Sequence, residues 1–123
     1  MDARFFARRQ VLGAAGLWLA VGAAAADGPD WSAVGPVFAL RCTMCHAEAG
    51  AMRGLRLDSY AGALAGSENG AVLIPGDPEA SELVRRVLGL SPPRMPFLGP
   101  ALLEAEVTLI RQWISAGLPE RSD

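Results

Sequence analysis

The stretch Cys42-Thr43-Met44-Cys45-His46 constrains this 123-residue chain more than any other. Two thiols three positions apart, with a histidine directly after the second, form the attachment signature of a c-type haem. Each thiol adds across one vinyl group on one edge of the porphyrin, and two intervening residues let a single turn of backbone present both sulfurs. The adjacent imidazole then lies under the iron as its proximal ligand. Competing chemistries lack parts. A structural zinc site needs four ligands, and these two cysteines and this histidine are the only ones in the sequence. A thioredoxin-like redox pair opens a helix after a strand in a βαβ pattern, and no such pattern is present.

The length suits one small domain, and with 20% charged and 51% hydrophobic residues the composition is not that of a disordered chain. Part of the hydrophobicity belongs to the N-terminus. Arg4, Arg8 and Arg9 stand against the single acid Asp2, positions 11–26 carry no charge, and Ala24-Ala25-Ala26 precedes Asp27. A basic start, an apolar stretch and a small-residue cleavage site predict a secretory signal over 1–26. As a membrane anchor the run falls short of the ~20 residues needed to span a bilayer. Arg8-Arg9 also invites a twin-arginine reading, but that route carries folded proteins, whereas haem is coupled to thiols of an unfolded chain outside the cytoplasm. The expected domain is then 27–123, a size at which a bare core is thin and a covalent haem adds a large apolar body. Loss of the leader takes the formal charge from −2 to −4, and there is no lysine anywhere. An acidic, lysine-free domain offers no basic patch for nucleic acid.

Periodicity predicts helices and no convincing strand. Val34, Val37, Phe38 and Leu40 fit an amphipathic helix over 31–41 that leads into the haem motif, with Ser32 as N-cap and Pro36 near its first turns. A glycine-rich loop covers 47–54. Asp58 or Ser59 caps a short helix to Leu64 that Gly66 ends. Asp77-Pro78 places an acid at the N-cap and proline at the first position of a third helix. Its apolar side is Leu83, Val87 and Leu90, its basic end Arg85 and Arg86, and its terminator Gly89. Four prolines make 91–100 a stiff loop. The last helix runs from about Leu102 to Ala116, with Leu103, Val107, Ile110 and Ile114 as its stripe. Phe38 and Trp113 are expected to be buried, meeting where the first and last helices cross.

With a single histidine and no lysine, the second axial position falls to a methionine or stays open. Met44 lies between the tethered cysteines and cannot reach across the ring. Met52 follows His46 by six residues in a loop too flexible to hold sulfur well. Met95, in Pro92-Pro93-Arg94-Met95-Pro96, has a backbone restrained by its neighbours, and His/Met ligation is a known haem pattern. A gap-filling core methionine is the plain alternative. Arg56 and Arg94 match haem propionates in geometry, or are solvated surface arginines.

The chain resembles class I c-type cytochromes, and more closely the small planctomycete-type cytochrome c domain. The haem motif carries that resemblance together with Gly54-Leu55-Arg56-Leu57-Asp58-Ser59, Ile74-Pro75-Gly76-Asp77-Pro78, Ser81-Glu82-Leu83, Arg94-Met95-Pro96 and Trp113-Ile114-Ser115-Ala116-Gly117. It implies an all-α fold of about four short helices wrapped around one covalently bound haem c. Cys42 and Cys45 would be the thioether attachments, and His46 and Met95 the axial iron ligands. One departure concerns the imidazole. No proline follows His46 before Pro75, so another carbonyl, from Gly54 or Leu55, would have to orient the ring.

The function expected is an exported electron carrier, not an enzyme, docking transiently with redox partner proteins at the haem edge. Pro93, Met95, Pro96, Phe97 and Leu98 would border that edge, with only Arg94 charged. A haem-based sensor with a displaceable distal ligand is the alternative. A peroxidase would need a polar distal group, and no second histidine exists to supply one.

Overall fold

The computed structural model describes residues 28–122, together with Gly13 and Gly16. The expected leader and its boundary at Asp27 lie outside the described residues. Four helices follow in order: α1 (Trp31–Arg41), α2 (Tyr60–Ala65), α3 (Glu82–Val87) and α4 (Glu104–Ser115), with one 3-10 turn at Met52–Gly54. Among the described residues there is no strand, only an isolated bridge between Ser67 and Gly70. The all-α expectation holds.

α4 is the central element, packed against both α1 and α3. Phe38, Val34, Val84, Ile110, Trp113 and Ile114 are the largest fully buried apolar side chains. Where α1 crosses α4 the rings of Phe38 and Trp113 stand 6.0 Å apart at 68°, the expected meeting. Trp31 joins them, at 5.6 Å from Phe38 and 5.8 Å from Trp113, and reaches Tyr60 of α2 at 5.9 Å. Such tilted and edge-on pairs add to simple area burial. The polar edges of the cluster are matched to one strap of chain. Pro119 O accepts from Trp31 N and from Trp113 Nε1, both at 3.0 Å, and Leu118 O accepts from the Tyr60 hydroxyl at 2.6 Å.

The helix ends differ from expectation in instructive ways. α1 is capped by Asp30, not Ser32: Asp30 Oδ1 accepts from Ser32 N at 2.9 Å, the ordinary capping geometry of a short carboxylate. α2 is capped by Ser59, whose Oγ accepts from Gly62 N at 3.0 Å, and it ends at Gly66 with φ +78. A Cβ at Gly66 would meet Gly70 O at 2.5 Å, so only glycine fits this close approach. The third helix starts later than Asp77-Pro78 suggests. Asp77 does cap, through Ala80 N at 3.1 Å, but it caps a turn. Ser81 is fully buried, donates to Asp77 O and accepts from Ile74 N, each at 2.9 Å, and its extended backbone delays α3 to Glu82.

Three expected apolar-face positions are exposed: Leu40 at 73%, on the outer side of the last turn of α1, Leu90 at 58% and Leu103 at 61%. Gly89, at φ +75, turns the chain away before Leu90. Leu103 precedes α4, where its N–H donates to Glu106 Oε1 at 2.8 Å, half of a capping box. The buried stripe of α4 is therefore Ile110, Trp113 and Ile114.

Asp30 also closes the chain. Its Oδ2 accepts from Ser122 N at 2.8 Å and Ser122 Oγ at 2.9 Å. The Ser32 hydroxyl, and then the two Ser122 groups, hold its carboxyl well below the usual carboxylate range. A depressed folded pKa stabilises above the unfolded value, here 3.8, and that contribution is lost as pH falls toward the folded one. Asp30→Ala should therefore lower Tm at pH 7, and the gap to wild type should close as pH drops below about 4. A gap that stayed constant from pH 7 to pH 2 in thermal melts would show that ionisation of Asp30 contributes nothing.

Candidate functional site: the Cys42–His46 turn

α1 delivers the motif. Its last carbonyls are taken by Cys42 N and Thr43 N, both to Phe38 O at 2.8 and 3.0 Å, and by Thr43 Oγ1 to Ala39 O at 2.9 Å. The chain then makes one more turn, with Cys45 N and His46 N both donating to Cys42 O at 3.2 and 3.0 Å. This single turn carries both thiols and the imidazole.

The two cysteines are free and differ in setting. Cys45 is exposed, whereas Cys42 packs against the core. Burial pushes the Cys42 thiol up to about 11, with the Glu106 carboxylate acting in the same direction and Arg41 opposing. At neutral pH that sulfur is a protonated thiol, unlike the low-pKa thiolate of a redox dithiol. Arg41 and Glu106 brace the turn against α4 through a two-pronged pair, Nε to Oε2 at 3.0 Å and Nη2 to Oε1 at 2.9 Å. Their side chains are only 23% and 14% exposed, and the guanidinium holds the Glu106 carboxyl below its usual range.

His46 is half-buried. Its carbonyl accepts from Leu57 N at 2.7 Å, while its Nδ1 is buried with no hydrogen-bond partner among the described residues. The expected orienting carbonyl from Gly54 or Leu55 is therefore not engaged. A buried imidazole nitrogen without a partner is costly, and the ring keeps its donor capacity uncommitted.

The loop after His46 folds back onto the motif. Met52 N donates to Cys45 O at 3.0 Å, and Glu48 N donates to Asp58 Oδ2 at 3.2 Å. Arg56 grips the same carboxylate, Nε to Oδ1 at 3.2 Å and Nη2 to Oδ2 at 3.3 Å, with Glu48 at 3.8 Å. Arg56 is thus committed locally, holding Asp58 below its usual range. Arg94 is exposed and, among the described residues, its side chain donates only to Gly99 O, at 3.3 Å.

The three candidate methionines separate by burial. Met44 is 96% exposed and Met52 58% exposed, whereas Met95 is half-buried against the same core that Cys42 touches. The exposed large apolar side chains include Leu88, Leu90, Phe97, Leu98 and Leu103, all near Met95 in sequence. A surface cavity of about 680 Å³ opens beside α4 at Thr108, Arg111 and Gln112 and includes no residue of the motif.

An all-α domain that ends its first helix in a Cys-x-x-Cys-His turn is a cytochrome c-type domain. Within that class, residues 42–96 match the family model of Planctomycete cytochrome C, which supports a cytochrome c-type domain, and such a domain implies haem binding. No curated protein and no solved structure matches the chain. The residues fit the group. Two free thiols share one turn with an imidazole that has an uncommitted nitrogen, and a sheltered thioether packs on the same core. No helix among the described residues is long and apolar enough to cross a membrane.

Proposed function

We propose that the chain is an exported monohaem c-type cytochrome that carries single electrons between redox proteins and is not an enzyme. The observation that supports this most is the Cys42–His46 turn, where both free thiols and the imidazole share one carbonyl-centred loop of backbone. Cys42 and Cys45 would hold the haem covalently, His46 would be the proximal ligand and Met95 the distal one. Bound there, the haem supplies reversible one-electron Fe(III)/Fe(II) chemistry.

The chain's own part is positional and dielectric. α1 and the Arg41–Glu106 brace fix Cys42, the strap through Leu57 N fixes the His46 backbone, and the apolar core shelters Cys42 and Met95. Thioether ligation and burial favour the ferrous form. Arg94, which has no carboxylate partner among the described residues, suits a propionate better than Arg56 does. Phe97 and Leu98, 61% and 91% exposed, would dock the redox partner through a small apolar face.

Acid-acetone extraction of protein purified from its native host, followed by mass measurement, is expected to leave one haem on a chain starting at Asp27. Release of all the haem would sink the covalent reading, and an intact residue 1–26 segment would sink the cleaved leader. Stopped-flow electron exchange with an apolar-faced partner should change little over a salt series. A steep fall would instead indicate long-range charge steering.

A further inference from the structure

We propose that Arg86 is the positioning residue that latches the Met95 segment, and so governs how readily an outside ligand takes the iron's second axial position. This rests on the assignment of Met95 as the distal ligand. The need for a latch is written in the loop itself. Pro92, Pro93 and Pro96 have no N–H, so Arg94 and Met95 hold the only backbone donors of the stretch 92–96. Met95 gives its N–H to Arg86 O at 3.1 Å. The Arg86 side chain takes the other end, with Nη1 donating to Pro92 O at 2.6 Å. One residue thus holds the loop on both sides of Pro93-Arg94.

Arg86 is itself well fixed. Its backbone lies in α3, whose Leu83, Val84 and Val87 are buried, and its Nε donates to Glu82 Oε1 at 2.7 Å. The start of the loop is tied to the same helix. Leu90 N and Ser91 N donate to Arg85 O at 2.8 and 3.3 Å, and Ser91 Oγ donates to Glu82 Oε2 at 3.3 Å. Beyond Met95 the ties thin out to Gly99 N on Pro96 O and Arg94 Nη2 on Gly99 O. An exposed ion pair at i,i+4 adds little stability by itself, so the Glu82–Arg86 pair matters here for where it aims the guanidinium. Losing the guanidinium cuts the Pro92 side of the latch while the backbone bond from Met95 N remains, and so loosens the Met95 sulfur while leaving both attachment cysteines and His46 untouched.

The test is imidazole binding to the ferric holoprotein, followed by loss of the far-red sulfur-to-iron absorption. Arg86→Gln should raise the rate of imidazole entry on the order of tenfold, the effect of losing a charged hydrogen bond, with the haem still covalent. Arg86→Lys keeps the charge but lacks the fork that meets two acceptors, so it should recover only part of the latch. Val84→Ala, on the buried side of the same helix, supplies a variant of lowered stability. If it admits imidazole as fast as Arg86→Gln at matched Tm, general loosening explains the effect and the latch is overturned. An unchanged rate in Arg86→Gln overturns it too. Should Arg86→Gln fail to fold, Glu82→Gln leaves Arg86 in place, removes the charge that aims it, and should give a smaller rise in the same rate. No rise there overturns the latch as well. Failure of the ligand assignment looks different: the far-red absorption would then survive Met95→Ala.

Discussion

Trp113→Ala is expected to lower the unfolding free energy of the holoprotein by about 3–5 kcal/mol. The indole is fully buried at the crossing of α1 and α4, within 6.0 Å of Phe38 and 5.8 Å of Trp31. Removing it opens a cavity lined by rings that cannot easily collapse inward. It also takes one of the two donors from Pro119 O, loosening the strap that closes over the cluster. For a small domain, total stability is on the order of 5–15 kcal/mol, so the loss is a large fraction of it. Trp113→Phe keeps most of the apolar volume and should cost far less, with the lost hydrogen bond contributing roughly 1 kcal/mol. Denaturant titration distinguishes the two. Equal midpoints for both variants would mean that the Nε1 hydrogen bond, and not packing, carries the cluster.

Much of this core is legible in the sequence because it repeats with helical period. α1 occupies the expected 31–41, and Phe38 meets Trp113 as the two apolar stripes require. The misread helix starts share one physical cause, which is that polar groups near a helix start can serve more than one partner. The sequence offers Ser32 as the cap of α1, yet Asp30 caps it and also binds Ser122, a contact 92 residues away that no local pattern reveals. Asp77-Pro78 is a genuine start signal, and the turn it starts is broken by Ser81, whose hydroxyl is engaged with Ile74 N. Leu90 and Leu103 keep the period of their helices but lie beyond the helix ends, so period alone misplaces them.

The candidate site divides in the same way. The Cys42–His46 signature is local, one turn of backbone, and its turn geometry follows from the residues in it. What surrounds it is tertiary. The sequence offers Arg56 and Arg94 as equals, and only the fold shows Arg56 gripped by Asp58 and Glu48. Arg41 gives no signal as a brace, because its partner Glu106 is 65 residues away. Arg86 reads as a helix-end cation in the sequence, since Pro92 O becomes its acceptor only once the loop doubles back.

Met95→Ala should abolish the far-red sulfur-to-iron absorption of the ferric protein and lower its reduction potential, while Met52→Ala should change neither. Three methionines compete for one iron position, and the fold separates them by setting. Met52 is 58% exposed, and its N–H is fastened to Cys45 O, which holds its backbone to the attachment motif itself. Met44 lies between the two cysteines and is almost wholly exposed. Met95 alone is sheltered, lies 49 residues past His46, and has its backbone fixed by a hydrogen bond to α3. A thioether donor favours the ferrous state, so replacing it with water or an open position shifts the potential downward. Because Met95 also packs on the core, Met95→Ala will cost some stability, and the spectrum must be read well below the variant's Tm. Met95→Leu provides the cleaner arm: it keeps the apolar volume, at a packing cost under about 1.5 kcal/mol, and removes only the sulfur. Loss of the absorption in Met95→Leu with the fold intact assigns the ligand, whereas its loss in Met52→Ala would move the ligand to the loop beside the motif. If the wild type shows no such absorption and binds carbon monoxide rapidly, the second axial position is open and the protein is a ligand-binding haem module instead.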